Sequence, residues 1–165
     1  MYRFIKLINL DCLLLVTAIL CLCGNSAAAE TEISLSRGQT VYVPIYSHIY
    51  SGDREHPFYL AATLSIRNTD QNYQITIIAI DYYDTTGKLI KKYLVTPIVL
   101  QARASTRYVV KESDKTGGSG ANFIVKWKSV YNVNPPIIES VMIGTQLQQG
   151  ISFTSRGQVI KEISQ

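Results

Sequence analysis

The stretch Gln74-Ile-Thr-Ile-Ile-Ala-Ile-Asp-Tyr-Tyr-Asp-Thr-Thr-Gly87 decides the fold. Its apolar residues fall on both parities, Ile75, Ile77 and Ala79 on one and Ile78 and Ile80 on the other. A run of about ten residues this rich in β-branched side chains reads as a central strand with both faces covered. Asp84-Thr-Thr-Gly87 ends it as a turn, with Asp at the first position and Gly free to take a positive φ. Residues 88–95 then return as the hairpin partner.

Outward from that hairpin the pattern repeats. Residues 40–47 set Val41, Val43 and Ile45 against Tyr42, Pro44 and Tyr46. Pro44 cannot donate a ladder hydrogen bond, which predicts an edge strand. Residues 59–68 turn Leu60, Ala62, Leu64 and Ile66 inward. Residues 105–111 place Tyr108 and Val110 on one face, and 121–129 place Phe123, Val125 and Trp127 opposite Lys126 and Lys128. Strands over 137–143 and 151–154 follow, the last ending near Gly157. Loops are expected at 51–57, 68–72, 114–120 and 132–136. Beyond residue 29, Val and Ile total 28 against 13 Leu and Ala, a balance that disfavours helix. The expectation is an all-β domain, an antiparallel immunoglobulin-like β-sandwich of about seven or eight strands over 30–165.

Residues 1–29 differ in kind. Arg3 and Lys6 precede the apolar run Cys12-Leu-Leu-Leu-Val-Thr-Ala-Ile-Leu-Cys-Leu-Cys23, and Ser26-Ala-Ala-Ala29 supplies small residues for cleavage before Ala29 or Glu30. This is the pattern of a secretory signal peptide. Asp11 and Gly24 bound a run shorter than the ~20 residues a membrane span needs. An uncleaved anchor is one alternative. Lipidation is the other, though neither Cys21 nor Cys23 follows the small residues a lipobox uses. All three cysteines lie in this leader, so the mature domain has no disulfide, thiolate ligand or Cys nucleophile. The expected location is periplasmic or secreted.

The 165 residues carry a net charge of +4, unevenly spread. Residues 30–85 sum to −4 and residues 86–165 to +7. Lys88, Lys91, Lys92, Arg103, Arg107, Lys111, Lys115, Lys126 and Lys128 could form a basic face toward anionic lipid or polyanionic glycan, or simply solvate strand faces. Export argues against nucleic acid as a partner.

Several segments resemble a known family. They are Val41-Tyr-Val-Pro-Ile-Tyr-Ser-His-Ile-Tyr50, Ala62-Thr-Leu-Ser-Ile-Arg-Asn-Thr-Asp70, Asp81-Tyr-Tyr-Asp-Thr-Thr-Gly87, Gly117-Gly-Ser-Gly-Ala-Asn-Phe-Ile-Val-Lys-Trp127 and Val141-Met-Ile-Gly144. Together they are similar to the bacterial family catalogued as domain of unknown function 3124, from about Ser36 to Ile160. The resemblance implies a small exported bacterial protein with no assigned activity. Residues 64–110 are more loosely similar to exported immunoglobulin-like modules, which supports the fold and not a chemistry.

Candidate sites are few. Tyr46-Ser-His-Ile-Tyr-Ser-Gly-Asp-Arg-Glu-His56 holds both histidines, and His48, Asp53 and His56 are the conceivable metal ligands. Their spacing lacks a compact His-x-His or helical pair, so a polar loop is the plainer reading. Tyr42, Tyr46, His48 and Tyr50 share one parity, and Tyr82 lies on the central strand. Rings with polar tips suit recognition of glycans or proteins, and equally the covered face of a strand. Gly117-Gly-Ser-Gly120 precedes a strand and not a helix, so it reads as a tight turn with Asn122 bonding the backbone, not a phosphate cradle. Arg67 is expected to pair with Asp81 or Asp84, and Asn68 to cap a turn. No Gly-x-Ser-x-Gly elbow is present, and Asp84 already serves a turn, which leaves Asp81 and Asp84 a poor glycosidase pair. The expectation is a non-catalytic module without a cofactor that binds a protein or envelope component. The alternative is a small-ligand or metal-binding periplasmic protein using segment 46–56.

Overall fold

A computed structural model describes residues 34–53, 55–146 and 148–163. The leader read over 1–29, with its cysteines, lies outside the described residues. Ile33–Gln165 form one compact unit. The strands in chain order are β1 (Ser36–Pro44), β2 (His48–Ser51), β3 (His56–Tyr59), β4 (Ala61–Arg67), β5 (Ile75–Tyr83) and β6 (Leu89–Lys92). They continue with β7 (Ile98–Leu100), β8 (Ser105–Val110), β9 (Asn122–Val133), β10 (Ile137–Gln146), β11 (Gln149–Arg156) and β12 (Gln158–Glu162).

All pairings are antiparallel. One sheet has the order β12-β1-β9-β5-β6, with β7 also on β5. A second has the order β11-β10-β4-β8, and β2 pairs with β3 as a separate hairpin. The all-β expectation holds. A single apolar layer fills the space between the two large sheets. Val41, Val43, Ile75, Ile77, Ile80, Tyr82, Phe123, Val125 and Trp127 enter it from one side, and Ala62, Leu64, Ile66, Val110, Ile138 and Met142 from the other. Trp127 is fully buried and its indole N–H finds no acceptor among the described residues, so this ring serves the core by volume.

Local chemistry explains most of these elements. In β4 and β9 a period-2 pattern buries Ala62, Leu64 and Ile66 and Phe123, Val125 and Trp127, with Ser65 buried as well and Ile124 half-buried on the other face. The turn after β5 is as expected. Gly87 has φ 82°, and Asp84 Oδ1 accepts hydrogen bonds from the Thr86 amide (2.8 Å), the Thr86 hydroxyl (2.7 Å) and the Lys88 amide (2.9 Å).

Other expectations need correction. β1 is flanked by β9 and β12, so it is not an edge strand. Pro44 is its last residue and lies beyond the final β12 partner of Tyr42, so its missing N–H is never required. β5 does not keep one phase. A bulge between Ile77 and Ala79 shifts the register, and Ile75, Ile77, Ile80 and Tyr82 all end on the buried face. Residues 51–57 are the tip of the β2–β3 hairpin, with Glu55 N donating to Gly52 O. The strand through Trp127 runs on to a buried Val133. Residues 88–100 form two short strands along successive parts of β5. Arg67 faces Glu139 at 3.9 Å on the neighbouring strand, because Asp81 belongs to the other sheet.

The chain does not stop at Gly157. It crosses there from β11, in one sheet, to β12 in the other. These corrections raise the strand count above the seven or eight expected.

At one end of the sandwich, Asn68 and Asp70 hold the loops. Asn68 Nδ2 donates to the carbonyls of Tyr73 (2.9 Å), Leu100 (3.2 Å) and Gln101 (3.0 Å), and its Oδ1 accepts from Asp70 N (3.0 Å). The buried Asp70 carboxylate accepts from the amides of Asn72, Tyr73 and Asn134. Those backbone bonds, Asn72 foremost, hold its pKa below the ordinary carboxylate value against the opposing effect of burial.

Two predictions follow from this architecture. A methyl group at residue 157 would lie 2.7 Å from Val41 Cγ1, 2.8 Å from Ile138 O and 3.2 Å from Val43 Cγ2. Gly157→Ala is therefore expected to cost about 2 kcal/mol, read from the urea midpoint. For Asp70 the lowered native pKa means that its contribution is complete above the unfolded value, about 3.9. It is lost as pH falls from there through the native value. Thermal melts at pH 6 and pH 3 should show Asp70→Asn less stable than wild type at pH 6, with the gap closing at pH 3.

Candidate functional site

At the other end of the sandwich, four segments are fastened together by backbone bonds. Ile45 N donates to Ala121 O (3.0 Å), Ser47 N to Gly118 O (3.0 Å), Leu60 N to Ser47 O (3.0 Å) and Thr85 N to Gly117 O (2.9 Å). The Thr85 hydroxyl donates to Gly117 O and accepts from Gly120 N, both at 3.0 Å. The glycine-rich loop is thus a tight turn docked on Thr85. A side chain at Gly117 would collide with the Tyr82 hydroxyl. Tyr82 is fully buried, shares a 3.3 Å hydrogen bond with Ser47 and has its pKa raised by desolvation.

The β2–β3 hairpin rises from this platform. Its register places His48 opposite Tyr59 and Ser51 opposite His56. Ring centroids of His48 and Tyr50 are 5.2 Å apart at 85°, and those of His48 and Tyr59 are 6.0 Å apart at 66°. Tyr50 is 55% exposed. Lys115 Nζ stands 4.0 Å from the centroid of the Tyr59 ring. Tyr59, Lys111, Glu112, Ser113 and Lys115 line an adjoining open cleft of about 640 Å³. The ammonium–ring contact contributes only about 0.5–1 kcal/mol at such an exposed site, so a ligand can displace it.

The sequence-selected residues do not all converge here. His48 and Tyr50 stand on the hairpin, and Asp53 is exposed in its turn. His56 begins β3 at the tip, the far end of the register from His48. Among the described residues no group of three His, Cys, Asp or Glu side chains could hold a metal ion. Tyr42 and Asn122 lie on the outer face of the six-stranded sheet, opposite in phase to buried Val41, Val43 and Phe123. Tyr46 packs edge-on against Phe153 at 5.8 Å. Tyr82 is core and inaccessible to a ligand.

The nine basic residues divide as well. Lys126 and Lys128 face outward on the six-stranded sheet, Arg107 on the four-stranded one, and Lys111 and Lys115 line the cleft. Sequence reasoning missed Tyr59 as a site residue. It had no signal beyond a ring at the start of an alternating strand, because the loop that brings Lys115 over it lies 56 positions away.

Comparison with known proteins gives a family. A family model described as "Protein of unknown function (DUF3124)" matches residues 38–160, and the chain belongs to that family. No curated protein matches the chain. Among solved structures, one from Thermotoga maritima, titled "Crystal Structure of Thermotoga maritima 1070", aligns at 10% identity and a TM-score of 0.40. The alignment covers 78% of this chain and 97% of that one. That likeness is too slight to carry a function across.

Proposed function

We propose that this chain is an exported, non-catalytic β-sandwich module, periplasmic or secreted, that binds a component of the cell envelope. The cleft beside the β2–β3 hairpin is its recognition site, and an anionic glycan is the ligand class, in preference to a protein partner. The carrying observation is the placing of Lys115 over Tyr59, with Lys111 lining the same cleft and His48 and Tyr50 beside it. Ring faces and edges take the C–H surface of a sugar, and ammonium groups pair with its carboxylate or phosphate. The leader over 1–29 supports export, and the fastened loops beneath the hairpin support a binding surface formed in advance of its ligand.

A second reading, a small-ligand or metal-binding protein using segment 46–56, draws on one observation. His48 Nδ1 is buried without a hydrogen-bond partner among the described residues and could meet a small polar ligand.

Co-sedimentation with purified peptidoglycan sacculi tests the first reading. Binding is expected to weaken about tenfold in the Lys111→Gln/Lys115→Gln variant, through loss of charge-assisted bonds. It should also weaken in Tyr59→Ala and in 0.5 M salt. No sedimentation with sacculi, or sedimentation indifferent to all three changes, overturns it. Zinc titration and elemental analysis of the purified protein decide the metal form of the second reading. Stoichiometric zinc lost in His48→Ala supports it, and no metal ends it.

A further inference from the structure

The end of the sandwich opposite the cleft carries a feature that the fold does not require. Between the pairs Ser36↔Val133 and Gly38↔Lys128, β1 advances two residues while β9 advances five. The surplus forms a bulge at Val130, Tyr131 and Asn132, and all three are exposed. Val130 is 73% exposed and Tyr131 56%. The bulge is held in place. Arg37 Nη2 donates to Val130 O at 2.6 Å, and Tyr131 N donates to Ser129 Oγ at 3.2 Å. The Tyr131 ring lies 4.3 Å from that of Tyr73, itself exposed. Leu35, 54% exposed, enters β1 beside this group. Bulges re-aim side chains, and this one aims two apolar residues into solvent.

We propose that this end docks on an anionic lipid bilayer. Three observations select that occupant. First, the apolar run ending at Cys23 is separated from Ser36 by only twelve residues. At about 3.5 Å per residue that tether spans at most about 40 Å. Whenever the run sits in a membrane, β1 therefore begins within about 40 Å of the lipid, and it begins at this end. Second, tyrosines beside aliphatic side chains suit the headgroup boundary, where one part of the ring is apolar and the other wet. Third, the charges presented here are guanidinium groups. Arg37 lies on the bulge, and Arg103, held to Gln71, is on a neighbouring loop. Among the described residues nearby, the Asp70 carboxylate is buried and accepts from three backbone amides, and the exposed Glu162 is engaged by Ser36 Oγ (2.8 Å) and Gln39 Nε2 (2.7 Å). The surface thus pairs two cations with an apolar tip, which fits lipid phosphate above acyl chain. Docking this way turns the β2–β3 hairpin away from the bilayer.

The test uses vesicles of phosphatidylcholine containing one quarter phosphatidylglycerol. Residues 30–165, which contain the whole described core, are expected to float with them. Val130→Ser/Tyr131→Ser should lower the partition coefficient about tenfold. Arg37→Gln/Arg103→Gln should lower it by a similar factor and abolish the preference for phosphatidylglycerol. Tyr50→Ser, at the far end, should leave it unchanged. In the full chain reconstituted into the same vesicles, brominated lipid should quench Tyr131→Trp and not Tyr50→Trp, above the common background of buried Trp127. Equal quenching at both positions overturns the proposal. So does flotation indifferent to the bulge variant, or a lipid-free dimer that the bulge variant dissociates. Sacculus binding is read separately on the same variants, so a failure here is distinct from failure of the glycan reading.

Discussion

The described domain depends on one apolar layer shared by two sheets, and its described residues include no cysteine. No covalent staple is available, so the layer must be continuous and densely filled. The central strands meet this with residues of high volume, Phe123 and Trp127 on β9 and Tyr82 on β5, each fully buried. The layer also fixes where function can reside. Its inward side chains are fully used, and the outer sheet faces mix lysines, arginines and hydroxyls with exposed aliphatic residues such as Val109, Ile143 and Ile160. The two ends, where loops leave the sheets, carry the two surfaces proposed above for recognition.

Both ends are held by side-chain-to-backbone hydrogen bonds more than by ion pairs. Asn68 and Asp70 satisfy carbonyls and amides of three loop segments at one end. At the other end the Thr85 hydroxyl does the same for the 117–120 turn, and backbone bonds of Ser47 and Ile45 complete the fastening. Such bonds fix geometry without the side-chain entropy cost of pairing long charged residues. The Arg67–Glu139 contact, at 3.9 Å with an exposed arginine, adds little by comparison. Loops ordered in this way lose less freedom on binding, so modest contacts suffice for recognition.

Much of the fold was legible because β4 and β9 keep their buried apolar residues at alternate positions, and alternation is a local property of the sequence. The departures share a cause, which is that pairing is not local. The Ile77/Ala79 bulge exists because β5 must serve β9 along its whole length while β6 and β7 share its other edge. β12 lies on β1, more than a hundred residues earlier, and its five residues are all exposed, so no apolar pattern announces it. Pro44 looked like an edge marker because its position within β1 cannot be read from its neighbours. The site was less legible than the fold. His48 and Tyr50 were visible as a parity group, but the cleft needs Lys111 and Lys115 from a distant loop.

The ten tyrosines beyond residue 29 show how one residue type divides between these demands. Tyr82, Tyr93 and Tyr108 pack in or against the core, where burial raises the pKa of Tyr82 and Tyr93. Tyr46 is covered by Phe153. Tyr50 and Tyr59 gather at the cleft, and Tyr73 and Tyr131 stack at the opposite end. A phenol tolerates both settings because its body is apolar and its hydroxyl can reach water or a partner. Parity alone therefore cannot separate recognition tyrosines from structural ones. The separation comes from depth along the sandwich. Rings on the inward faces of the two large sheets meet the facing layer, and rings on the β2–β3 hairpin or at the β9 bulge reach the surface.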